Sequence, residues 1–187
     1  MLSKLKILKN NEIIRRYVVI NSFDGALTIL GIIIAEFMVG IQNPALITMP
    51  AIGAGIAMCI SGIWGAYVAE NAESKKSLKN LEKHMMKKLN GTKIEEKMRK
   101  NTFLVAIVDG LSPMIVAFII ITPFFLFSDI TISYYSSFVL SAVILFLLGF
   151  FVGNTAGGNK ILYGFKMIGA GIIIMFLFYL LTIFGLM

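Results

Sequence analysis

Two Asp-Gly pairs, Asp24-Gly25 and Asp109-Gly110, stand 85 residues apart, each inside a stretch apolar enough to cross a membrane. A carboxylate near mid-bilayer costs about 2.5–3.5 kcal/mol on insertion scales. Two of them at matching places point to a bound cation or a titrating proton. Asp24 shares a helical face with Thr28 and Gly31, at i+4 and i+7, where small and polar neighbours admit a helix or an ion. Asp109 is followed by Ser112 and Pro113. Proline has no N–H for the carbonyl of Asp109, which leaves a backbone oxygen beside the carboxylate at one depth. Pro50 frees the Leu46 carbonyl in the same way. The bland alternative is a buried acceptor that locks a helix interface.

The other candidate ligands are weaker. Glu36 follows Asp24 by twelve residues, about 120° around a helix, and either faces an exit vestibule or reaches the interface. Met58 and Cys59 lie in a glycine-rich run, where soft sulfur suits a transition metal and not Mg²⁺ or Ca²⁺, or where methionine simply packs. Glu70 and Glu73, at i, i+3, are spaced to share a cation. Glu95, Glu96, Met98, Met85, Met86 and His84 would extend that site, but ten basic residues between Ser74 and Asn101 repel a divalent ion. His84 is the only histidine, which excludes a multi-His zinc site and His-based nucleophilic catalysis. The metal-ligating candidates are therefore Asp24, Asp109, Met58, Glu73, Glu70 and Glu36.

The elements that position them are membrane helices. The 187 residues are 58% hydrophobic, with mean hydropathy +0.87. A helical span needs about 20 apolar residues. Five stretches qualify, about 17–40, 44–69, 102–127, 132–153 and 163–186, without the polar face of a soluble helix. The expectation is an all-α membrane protein of one transmembrane domain, residues 1–187. Spans one and two, then three and four, form two hairpins of one sense, a parallel repeat about the membrane normal. Residues 70–101 form a helical extension between the hairpins. Leu78, Leu81, Met85 and Leu89 make one apolar stripe, Asn90-Gly91 a turn, and Thr92 with Glu95 a capping box.

All 17 Lys and Arg residues lie before span one, between spans two and three, or between or just within spans four and five. The positive-inside rule then places the N-terminus in the cytoplasm and the C-terminus outside. Net charge +7 belongs to that face and suits anionic headgroups, or only fixes topology. No nucleic-acid motif accompanies it. The lone Cys59 excludes an internal disulfide. The charged start is too long for a signal peptide, so span one is expected to remain.

Several of these residues resemble the vacuolar iron transporter family of Fe²⁺/Mn²⁺ carriers. NSFDGALTILGIIIA at 21–35 looks like that family's opening signature, ISGIWGAYVAENAE at 60–73 its second-span ending, and LGFFVGNTAGGNKILYGFKMIGAG at 148–171 its turn between spans four and five. The resemblance implies a homodimer exchanging divalent metal for protons, with Asp24 on the path and Met and Glu ligands from span two. Gly62 stands where the family often has Met, with Met58 one turn earlier, and Ala66 replaces a frequent acidic residue. The family's acidic metal-collecting domain is cut to a basic hairpin.

The leading expectation is a proton-coupled exporter of Fe²⁺ or Mn²⁺, with no permanently bound cofactor, in a prokaryotic plasma membrane. Its partners would be the metal ions, protons, the bilayer and a second copy. A non-transporting assembly or anchoring protein is the alternative. An intramembrane aspartyl protease fits poorly, because Ala-Ile-Val precedes Asp109 where that chemistry uses Gly-x-Gly-Asp.

Overall fold

The computed structural model describes residues 2–184, with side chains from Glu12 onward. The side chains of Lys4, Lys6 and Lys9 and the end of span five lie outside the described residues. Six helices follow in order: α1 (Leu2–Val39), α2 (Pro44–Met85), α3 (Lys93–Ile121), α4 (Pro123–Leu126), α5 (Ile130–Ala156) and α6 (Lys160–Ile183). Five of them are long and apolar enough to cross a membrane. This is an all-helical integral membrane protein, as the spacing of apolar runs implies.

Short polar side chains start the helices. Asn43 accepts from the Ala45 amide, Asp129 from Thr131 and Ile132, and Asn159 from Ile161 and Leu162. The third apolar stretch is broken after Ile121, because Pro123 cannot continue the ladder and opens the four-residue α4 instead.

At 1.5 Å per residue the 42 residues of α2 reach about 63 Å, roughly twice a hydrocarbon core. The excess carries the basic residues and turns back into α3 through Gly91, at φ +73°. The expected capping box does not form, since neither the Thr92 side chain nor the Thr92 amide takes part in its bonds. Glu95 accepts from the Gly91 amide at 2.6 Å, but the Thr92 hydroxyl donates to the Leu89 carbonyl at 2.6 Å instead of capping α3. The tight turn brings Leu89 within reach first, and Leu89 is buried beneath it.

α3 occupies the middle, with α1 along one side and α2 along the other. α5 packs on α1 and carries α6, which is outermost. Half of the most apolar window of α3 is buried, against 6% of that of α6, so α6 presents Ile172, Ile173 and Phe176 outward as a lipid-facing surface does. Ser133, Ser137 and Ser141 form a fully buried stripe on α5. Ser137 donates to the Ile120 carbonyl of α3 at 2.8 Å.

Candidate functional site

α1 and α3 cross in parallel, and the crossing sets Asn21 against Asp109 and Gly25 against Pro113. A Cβ on Gly25 would stand 2.7 Å from the Pro113 Cα, so a larger residue would force the helices apart. On its other side Asp109-Gly110 backs onto α2. A Cβ on Gly110 would overlap the Cys59 carbonyl oxygen, and one on Gly62 would lie 2.8 Å from the Gly110 Cα. Both Asp-Gly pairs thus use their glycine for a helix crossing, and the aspartate is carried to that depth with it.

Asp109 is 8% exposed, and the Asn21 side-chain amide donates to its Oδ1. The same Nδ2 donates to the Tyr17 carbonyl at 2.9 Å, and the Tyr17 hydroxyl donates to Glu70 Oε1 at 3.1 Å. A polar chain therefore runs from the interior of α3 across α1 to α2. It ends at a cavity of about 240 Å³ lined by Ile13, Arg16, Tyr17, Ile20 and Glu70, at the end of the bundle that carries the basic residues. The sequence reading passed over Tyr17 and Asn21. Their signal was present, because Tyr17, Asn21, Asp24 and Thr28 recur at spacings of 4, 3 and 4 on an apolar helix.

Asp24 has the opposite setting. It is exposed, on a stripe with Ile20 and Thr28. Ionisable residues at membrane depth face a bundle interior or a water-filled cavity and not lipid. The α1 face bearing Asp24 is left uncovered by the other helices of this chain. In the sequence the residue 85 positions beyond Asn21 is Ala106, so the second Asp-Gly stretch has no amide at the position from which Asn21 serves Asp109.

Glu36 lies inside, 7% exposed, and its Oε2 has no hydrogen-bond partner. Its backbone carbonyl accepts from the Ile41 amide at 3.0 Å, and the Ile41 carbonyl accepts from the Tyr134 hydroxyl at 2.9 Å. Phe37, Phe124, Tyr134 and Phe138 close edge-on around this end of α1. The fold thus turns the Glu36 side chain into the protein interior.

The remaining candidates are dispersed. Met58 is half-buried against the apolar core, Cys59 is buried, and Glu73 is exposed while Glu70 turns toward Tyr17. Glu96 pairs with Lys100 at 2.8 Å, and that hydrogen bond and charge hold its carboxyl below the usual range. Among the described residues no three His, Cys, Asp or Glu side chains cluster closely enough to hold a metal ion. A single protomer offers separate oxygen ligands: Asp24 on an open face, Asp109 and Glu70 joined by a polar chain, and Glu36 at the far end.

The profile of the VIT family matches residues 72–182. An uncharacterized protein of Methanocaldococcus jannaschii is 33% identical over 175 residues, covering 92% of this chain and 90% of its own. No solved structure matches the chain.

Proposed function

The chain belongs to the VIT family, and on that premise we propose that it is a secondary transporter exporting Fe²⁺ or Mn²⁺ from the cytoplasm in exchange for protons. The basic end of the bundle is then cytoplasmic, by the positive-inside rule. The observation that carries the reading is Asp24, a carboxylate exposed on an apolar helix at membrane depth. A second copy packed on the same face covers it and brings a second Asp24 across a two-fold axis, which is how an isologous dimer completes a site. Facing carboxylates stay ionised around a divalent cation, because the cation offsets both desolvation and mutual repulsion. Protonation cancels that attraction and releases the metal, which couples the two fluxes. Met58 and Glu73 of α2 would add ligands toward the cytoplasmic end, and Glu70 with Asp109 a second, internal pair of carboxylates. Ligand type alone does not rank Fe²⁺ above Mn²⁺.

Purified protein in liposomes, with metal uptake and lumenal pH recorded together, tests this reading. Wild type should move Fe²⁺ or Mn²⁺ with a counterflow of protons, and a folded Asp24→Asn variant should not. Absence of any metal flux under a proton gradient in the wild type would overturn the proposal. A non-transporting assembly protein remains the second reading, favoured by the Asn21–Asp109 hydrogen bond, which is what an interface lock looks like. It predicts that substitutions at Asp24 change stability alone.

A further inference from the structure

At the basic end of the bundle a groove of about 330 Å³ runs between α1, α5 and α6. Val19 of α1, Phe151 and Val152 of α5 and Met167 of α6 line it, with Arg15 and Arg16 at its mouth. The two arginines immediately precede the first apolar span, which sets them at headgroup level while the apolar walls continue into the hydrocarbon. Among the described residues the only ion pair is Lys100–Glu96, so neither arginine has a carboxylate oxygen within 4 Å. No acidic side chain lines the groove.

We propose that this groove is a specific site for an anionic phospholipid of the leaflet at the basic end, with the lipid phosphate on Arg15 and Arg16 and one acyl chain along Val19, Val152 and Met167. Charge complementarity commits the occupant. Basic pockets between membrane helices select anionic headgroups, and guanidinium groups pair with phosphate through two parallel hydrogen bonds. Acyl-chain contact separates this site from the lysine-rich hairpin, whose exposed charges attract any anionic surface without shape. It is also separate from Asp24, which lies about two turns further into the membrane.

The test is native mass spectrometry of the full chain offered equal amounts of phosphatidylglycerol and phosphatidylcholine. Wild type should retain phosphatidylglycerol with a preference of about thirtyfold, the size two basic groups at about 1 kcal/mol each produce at the leaflet surface. Arg15→Gln with Arg16→Gln should abolish the preference, and the paired Lys substitutions should keep most of it. Val152→Trp fills the groove and should remove the bound lipid with both arginines intact. Equal retention of the two lipids by the wild type overturns the proposal. So does an undiminished preference in the Val152→Trp protein, which would place the lipid on the hairpin lysines.

Discussion

The two aspartates occupy opposite environments despite matching local sequence. Asp109 holds a hydrogen bond from Asn21 across a helix crossing, and such bonds contribute roughly 0.6–2 kcal/mol within membranes. Asn21→Ala and Asp109→Ala should each destabilise the fold, and the double variant should cost less than their sum by about 1 kcal/mol. Unfolding in detergent measures that coupling, and strict additivity would show that the bond contributes nothing. Glu36 presents the reverse case, a buried carboxylate whose Oε2 is unpartnered. Leaving such a group buried is costly, so Glu36→Leu should raise stability by about 1 kcal/mol or more. Transport by the same variant should fall if Glu36 is a station on the ion path, the trade-off expected where a strained polar group serves function. Unchanged transport in a stabilised Glu36→Leu protein would remove Glu36 from the path.

At the scale of helices, glycine decides which faces meet. Gly110 presses on the Cys59 carbonyl of α2, and Gly25 on Pro113 of α3, so neither position has room for a methyl group. Gly110→Ala and Gly25→Ala should each destabilise by about 1–3 kcal/mol through overpacking. Gly53→Ala, with open space around it, should be neutral or stabilising. Thermal unfolding of the three variants checks the contrast, and an equal effect at all three would refute the packing argument. The repeat is imperfect at this scale. Gly62 closes α2 onto α3, whereas Gly149 and Gly153, at nearly the same offset, close α5 onto Tyr163, Gly164 and Lys160 of α6. The second hairpin thereby turns its glycine face toward α6 and not toward α1.

For the whole molecule, the proposed function sets the exposed face of α1 against a second copy. A Thr28→Cys substitution in a Cys59→Ser background places one thiol on that face, one turn from Asp24. The proposed two-fold arrangement predicts rapid disulfide-linked dimers under mild oxidation in membranes. A control Cys at Phe176, on the outward face of α6, should stay monomeric. Cross-linking at position 176 and none at 28 would place the interface elsewhere.

The sequence by itself determined the helices, their order and the basic end, because apolar length and charge placement are local quantities that the bilayer reads directly. It also determined the family, since Asp24-Gly25 and the glycine-rich turns are short linear patterns. Only the tertiary structure decided what each carboxylate meets. Spacing alone made Asp24 and Asp109 equivalent, but burial depends on which helices approach, and those approaches are set by contacts between residues 50 to 90 positions apart. The same packing drew Tyr17 and Asn21 into a chain with Asp109 and Glu70, and buried Glu36 with its Oε2 unpartnered. A helix face shows which residues travel together; the helix packed against it settles whether they find a partner.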